Sequence, residues 1–221
     1  MKYKCLVLDH DDTVVNSTAT IHFPCFVEYI KKFHPEVTHE YTLEEYFRKN
    51  FHPGIISLFC DEVGLSKEEL AIEERYWHNY VKSHVPEAYA GMREIISEFR
   101  SRGGIIAVSS HSFSEFIRRD YESNSLPMPD YIWGWEIAPE RRKPSPATML
   151  ELMEKTGISP SEILVVDDSK PGYDMARAAG CDFAAALWAF DVPEIESFMK
   201  ENCDVHFKTV DGLYRFLFDP S

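Results

Sequence analysis

Residues 4–13 read Lys-Cys-Leu-Val-Leu-Asp-His-Asp-Asp-Thr, an apolar run of strand length that stops abruptly in polar residues, three of them aspartates. A short, continuous apolar run marks a strand buried on both faces, as in a parallel sheet covered by helices. Four further runs share this character. Ile105–Val108 follows Gly103-Gly104 and ends in Ser109-Ser110; Tyr131–Trp133 is shorter; Ile163–Val166 ends in Asp167-Asp168; Phe183–Trp188 is the last. Helical spacing fills the intervals. Met92, Ile95, Ile96 and Phe99 recur up to Gly103, and Pro146–Thr156 places Met149, Leu150 and Met153 on one side before Gly157. Small residues Ala176, Ala179 and Gly180 after the fourth run let a helix approach a sheet closely. The expected fold class is α/β, a Rossmann-like parallel sheet.

Between the first two runs this alternation breaks. Thr42-x-x-Glu45 and Ser66-x-x-Glu69 are capping-box patterns, and Phe26, Ile30 and Phe33 lie at i, i+4 and i+7. No strand is expected across residues 16–88, so an all-α domain is inserted there, with Asn16-Ser17 and His84-Val85-Pro86 as hinge segments. Residues 1–15 and 89–221 are expected to form the core that carries the sheet.

The chain has 221 residues, 44% of them hydrophobic, enough for one full domain with a smaller insert. Its formal charge of −14 repels a phosphate backbone and argues against nucleic acid or an anionic membrane as partner. No membrane span and no signal peptide are expected. Five scattered cysteines without a C-x-x-C pair are expected as reduced thiols in a cytoplasm.

In parallel α/β sheets, ligands bind at the carboxyl ends of the strands. The residues just past runs one, two and four are Asp9-His10-Asp11-Asp12-Thr13, Ser109-Ser110-His111-Ser112 and Asp167-Asp168-Ser169. If these runs are neighbours, several carboxylates converge, repelling by roughly 4 kcal/mol per pair at 4 Å and an effective dielectric of 20. Such a cluster requires a cation or a shared proton. Oxygen ligands without nearby Cys or paired His favour Mg²⁺ over zinc. Lys143, in Arg142-Lys143-Pro144-Ser145-Pro146, supplies an ammonium for an aspartate and a bound phosphate. Metal, lysine, hydroxyls and a carboxylate nucleophile are the parts of phosphoryl transfer.

Four stretches together resemble the motifs of the haloacid dehalogenase superfamily, in the same order: LVLDHDDTVVNS at Leu6–Ser17, Val108-Ser109, Lys143-Pro144-Ser145-Pro146, and VVDDSKPGYDMARAAG at Val165–Gly180. The branch they most resemble is that of phosphoglycolate phosphatase and β-phosphoglucomutase. The insert at 16–88 stands where that family carries its C1 cap. The resemblance implies Asp9 as the nucleophile that forms an aspartyl-phosphate and touches Mg²⁺. It implies Asp11 as general acid and base, with its carbonyl on the metal, and Thr13 as loop support. Ser109 matches the phosphate-binding hydroxyl, with Ser110 and His111 beside it as substrate-binding candidates. Lys143 matches the lysine joining nucleophile and phosphate, and Asp168 a metal ligand, with Asp167 a supporting or alternate ligand.

The sequence departs from the family pattern at His10, usually apolar, at Asp12, more often Gly, and at Asn16, often Asp in that branch. Asp11 argues against a true dehalogenase, which lacks that carboxylate. In the insert, Arg48, Lys49 and His52 are candidates to meet an anionic substrate, or else a solvated face; Trp133 and Trp135 are expected in core or rim packing. The implied function is a Mg²⁺-dependent phosphatase acting on a small phosphorylated metabolite. Asp11 would have to be protonated by the influence of its like-charged neighbours. A phosphosugar mutase on the same chemistry is the alternative. A phospho-accepting receiver is disfavoured, because there the Lys-Pro follows the paired acids and the hydroxyl, whereas here it precedes Asp167-Asp168.

Overall fold

The computed structural model describes residues 2–219. Six parallel strands, β1 (Cys5–Leu8), β2 (Ile105–Ser109), β3 (Tyr131–Trp133), β4 (Ile163–Asp167), β5 (Asp182–Ala186) and β6 (Val205–Phe207), form one sheet in the order β3-β2-β1-β4-β5-β6. β1 is therefore flanked by β2 and β4, with Leu8 level with Val108 on one side and Val166 on the other. The sixth strand was not expected: it is three residues long, lies at the edge, and exposes His206.

The helices are α1 (Phe23–Phe33), α2 (Leu43–Phe51), α3 (Ile55–Ser57) and α4 (Lys67–Lys82), then α5 (Met92–Ser101), α6 (Ser114–Ser123), α7 (Ala147–Thr156), α8 (Lys170–Ala179), α9 (Pro193–Asn202) and α10 (Val210–Phe218). Successive strand residues point to opposite faces. Leu6, Leu8, Ile106, Val108, Leu164 and Val166 accordingly pack under α5, α6 and α10, while Cys5, Val7, Ala107, Ile163 and Val165 pack under α7, α8 and α9. Met92, Ile95, Ile96 and Phe99 of α5 are fully buried, contributing about 1.5–3 kcal/mol each. On α7 the expected face is corrected. Leu152 joins Met149 in the core, whereas Leu150 is 53% exposed.

Between β1 and β2 every regular element is helical, including π-turns at Thr18–His22 and Leu58–Val63. Both capping boxes form: Thr42 N–H donates to Glu45 Oε2 (2.7 Å) and Ser66 N–H to Glu69 Oε2 (2.8 Å). These helices have their own core of Phe26, Tyr29, Ile30, Tyr46, Leu58, Phe59 and Leu65. They meet the sheet layer on two sides. Phe47 stacks on Phe190 and Phe51 meets Phe198 edge-on near α9; Trp77 and His78 pack against Phe113 before α6. The two chain crossings run together, Asn16 N–H donating to Glu87 O (2.9 Å) and Tyr89 N–H to Val14 O (3.0 Å). Among the described residues no helix is long and apolar enough to cross a membrane.

Candidate active site

Asp9 is the first residue beyond the central strand, its N–H donating to Val166 O (2.9 Å). This places its carboxylate against the end of β4. The Lys143 ammonium, reaching in from the loop before α7, donates to Asp9 Oδ1 (2.8 Å) and to Asp167 Oδ2 (2.7 Å). All three side chains are buried. Burial would lower the lysine pKa, but Asp167 and Asp9 more than reverse this, so the ammonium stays charged. The second Asp167 oxygen accepts from the Ser169 N–H (2.8 Å) and hydroxyl (2.6 Å). Helix α8 comes so close that a Cβ on Gly172 would lie 2.0 Å from Asp167 Oδ2, which explains glycine there.

Asp9, Asp167 and Asp168 each offer an oxygen within 4.8 Å of the others. Burial, opposed by Lys143 but reinforced by Asp167 and Asp11, pushes the Asp9 carboxyl up to about 7. Burial with Asp12, Asp167 and Asp9 drives Asp168 well above the usual carboxylate range. One ammonium does not neutralise this group. An all-oxygen set of this kind suits a hard divalent cation.

Asp11 stands apart from that cluster. Its Oδ1 accepts from Ser17 Oγ (2.7 Å) and His22 Nε2 (3.0 Å), and its Oδ2 from Ser112 Oγ (2.5 Å). Trp77 Nε1–H donates to His22 Nδ1 (3.0 Å). An indole N–H can only donate, so in this arrangement the single ring proton of neutral His22 sits on Nε2, facing Asp11; burial opposes protonation of the ring, but Asp11 raises its pKa, and the charged ring would have to release Trp77. Burial would raise the Asp11 pKa, yet the His22 ring and the Ser112 hydroxyl hold it well below the usual range. The expectation that like-charged neighbours keep Asp11 protonated is thus corrected: three donors hold it as a carboxylate.

The departures from the family pattern have local explanations. Asp12 has φ +59°, the left-handed region that favours glycine and that Asp tolerates better than most residues. Its Oδ1 accepts the Thr18 N–H (3.1 Å) where the inserted helices begin. His10 is buried, with Nε2 3.0 Å from Asp120 Oδ2. Asp120 Oδ1 accepts from Arg119 Nε (2.8 Å), and Arg119 also donates to the carbonyls of Val81, Lys82 and His84. A polar line therefore runs from the loop carrying Asp9 to the end of α4. Among the described residues, Asn16 makes hydrogen bonds through its backbone alone.

The haloacid dehalogenase-like hydrolase family model matches residues 6–186, taking in all three strand ends and Lys143. The chain belongs to this family. Among curated relatives, the hydrolase is 26% identical over 157 residues to a phosphoglycolate phosphatase of Aquifex aeolicus, covering 68% of this chain and 73% of the relative. It is 30% identical over 124 residues to a phosphoglycolate phosphatase of Vibrio vulnificus, covering 55% of this chain and 52% of the relative. The match thus spans about half the length of that relative. Among solved structures, a predicted phosphoglycolate phosphatase from Haemophilus somnus 129pt superposes with a TM-score of 0.78 at 19% identity, over 98% of this chain and 99% of the other. At that identity the likeness is one of fold.

Above the strand ends of the hydrolase lies a cavity of about 410 Å³. Asp9, Asp11, Lys143, Asp168, Ser110, His111 and Ser112 line its floor. Ser109 does not. It is the last residue of β2, and its hydroxyl turns into the sheet layer toward Thr148 Oγ1 (3.4 Å) and Met175 Sδ (3.7 Å). Ser110, one residue on and facing the other way, is the hydroxyl the cavity receives. His111 donates from Nε2 to Lys143 O (3.1 Å), and burial together with the Lys143 charge lowers its pKa to about 4. Neutral at pH 7, it holds the backbone of the lysine.

The cations expected from the insert are not on the wall. Arg48 pairs with Glu44 and Glu194, Lys49 with Glu62, and His52 is not part of the lining. The insert contributes instead His22, Tyr46, Asn50, Phe59, Lys67, Glu73, Glu74 and Trp77 among others. No motif points to these residues. Trp77 alone has a legible signal, as an aromatic on the capping-box helix opened by Ser66. Trp133 packs in the core as expected, and Trp135 at the rim, where its Nε1–H donates to Glu74 Oε1 (2.9 Å).

Proposed function

We propose that this hydrolase is a Mg²⁺-dependent phosphomonoesterase of small phosphorylated metabolites, working through an aspartyl-phosphate on Asp9. The observation that carries the reading is Lys143, shared between Asp9 and Asp167 beside Asp168, on the floor of a cavity roofed by helices. The curated relatives are named phosphoglycolate phosphatases, which supports phosphoryl chemistry. Asp9, Asp167 and Asp168, with the Asp11 carbonyl, would hold the cation. When bound, it neutralises the carboxylates and the phosphoryl oxygens.

In the first half-reaction an Asp9 oxygen attacks phosphorus, the P–O bond to the alcohol breaks, and protonated Asp11 gives its proton to the departing oxygen. To be protonated, Asp11 must reverse one of its contacts, and the Ser17 and Ser112 hydroxyls can accept as readily as donate. In the second half-reaction Asp11, again a carboxylate, takes a proton from water as that oxygen attacks phosphorus. The acyl-phosphate P–O bond then breaks, releasing inorganic phosphate and restoring Asp9. Lys143 and Ser110 hold the phosphoryl oxygens, and residues 16–88 act as a cap that excludes bulk water. Five free cysteines fit a cytoplasmic protein.

Asp9→Asn should lower phosphate release by about 10⁴-fold or more, as loss of a nucleophile does. Intact mass after a rapid acid quench should show one added phosphoryl group on the wild type and none on the variant. EDTA should silence the wild type and Mg²⁺ restore it. Wild-type turnover by Asp9→Asn, or indifference to EDTA, would overturn the mechanism.

A further inference from the structure

The wall that meets the alcohol half of a substrate has an uneven charge. Glu73 and Glu74 lie four and three residues before Trp77 on α4, and all three line the cavity. Residues so spaced share a helix face. Trp77 reaches His22, which contacts Asp11, so this face stands over the point where the leaving oxygen must be protonated. Glu74 is engaged by the Trp135 indole. Glu73 has no hydrogen bond or ion pair among the described residues, although burial pushes its carboxyl up to about 7.

Cations are scarce at this end. Lys143 is committed to Asp9 and Asp167, Arg48 and Lys49 are paired away from the wall, His22 is turned to Asp11, and Arg142 lies over the Trp135 ring (3.8 Å), outside the lining. Lys67 lines the cavity, but it opens α4, ten residues before Trp77 and so about 15 Å along the helix axis. Ile55, Phe59 and Leu70 add apolar surface beside Tyr46 and Asn50, and a cavity of about 410 Å³ takes a larger alcohol than glycolate.

We propose that the enzyme selects phosphomonoesters whose alcohol half bears a hydrogen-bond donor, a hydroxyl or an ammonium, for Glu73, and rejects those with a carboxylate close to the ester. The inference rests on the phosphatase reading and sets this chain apart from the activity for which its relatives are named. An incoming donor supplies a partner for Glu73 and favours its ionised form; a carboxylate in the same place is repelled by Glu74, and by Glu73 whenever Glu73 is ionised.

The test compares kcat/KM, with Mg²⁺, for p-nitrophenyl phosphate, O-phosphoethanolamine, glycerol 3-phosphate and 2-phosphoglycolate. The two donor-bearing esters should exceed 2-phosphoglycolate by at least tenfold. Glu73→Gln should narrow that ratio and Glu73→Lys should invert it, mainly through KM. No hydrolysis of any ester, p-nitrophenyl phosphate included, overturns the phosphatase reading itself. Hydrolysis with 2-phosphoglycolate preferred, or a ratio unmoved by both substitutions, overturns this inference alone.

Discussion

The floor of the cavity and its roof are built on different terms. On the floor the polar side chains are locked: Lys143 spans two carboxylates, Asp167 has both oxygens occupied, and Asp11 accepts three hydrogen bonds. On the roof Glu73 carries a carboxyl with no hydrogen bond or ion pair among the described residues, and Glu74 and His22 are the titratable groups that bear on it. Rigid strand ends position groups for chemistry that needs fixed geometry. The roof leaves open contacts for whatever alcohol arrives. On the proposed function, reaction type belongs to the sheet edge and selectivity to a helix face.

If the floor is locked in this way, removing its central cation should be the most damaging change after loss of Asp9. Lys143→Ala leaves Asp9 and Asp167 buried without their shared partner, and breaking a buried pair costs about 3–5 kcal/mol of stability. It also removes a donor to the phosphoryl oxygens, expected to lower kcat by about 10²–10³-fold. Urea unfolding and steady-state kinetics check the two effects. A loss confined to one of them would show that the lysine serves only the fold or only the reaction.

The same contrast governs how much could be read from sequence. Apolar runs ending in Asp9, Asp11, Asp167 and Asp168 reveal the floor because a strand terminus fixes where the next residue goes. Even there the sequence left Ser109 and Ser110 both as candidates and favoured Ser109 for the phosphate, since two adjacent serines face opposite ways and only the register of β2 against β1 tells them apart. Lys143 was legible through its order among the motifs. In the insert, Arg48 and Lys49 looked like substrate cations because charge is visible in sequence and pairing is not; their carboxylate partners lie on α2, α9 and the π-turn after α3. His22 and Glu73 went unread because the faces they share depend on how separate helices pack. Leu150 was misplaced for a related reason, as α7 is rotated to bury Leu152.

A second perturbation tests whether floor and roof are coupled. Asp120 joins His10, beside Asp9, to Arg119, whose other donors hold the last carbonyls of α4 and the His84 carbonyl. Asp120→Ala leaves a buried histidine and a partly buried arginine without their acceptor. A loss of about 2–3 kcal/mol in urea unfolding is expected, toward the low end for buried pairs because Arg119 reaches solvent. Proteolysis near residues 83–88 should quicken in parallel. Unchanged cleavage there, with stability lost, would mean that the network braces the core without restraining the hinge.

The smallest effect expected is on Glu73, and its pH dependence distinguishes an unpaired carboxyl from a paired one. Burial raises its pKa from 4.5 to about 7, so the folded state binds the proton more tightly than the unfolded chain. The stability this contributes is fully present below pH 4.5 and is lost as pH rises through 7. Glu73→Gln has no proton to lose. The variant should therefore match the wild type near pH 4.5, gain relative stability as pH rises to 7, and hold a constant advantage above it. Because the side chain is only partly buried, the gain is on the order of 1 kcal/mol. Urea midpoints at pH 4.5, 6 and 8 measure it. An advantage that shrinks with rising pH would require a cation beside Glu73, and the roof would then be as tightly paired as the floor.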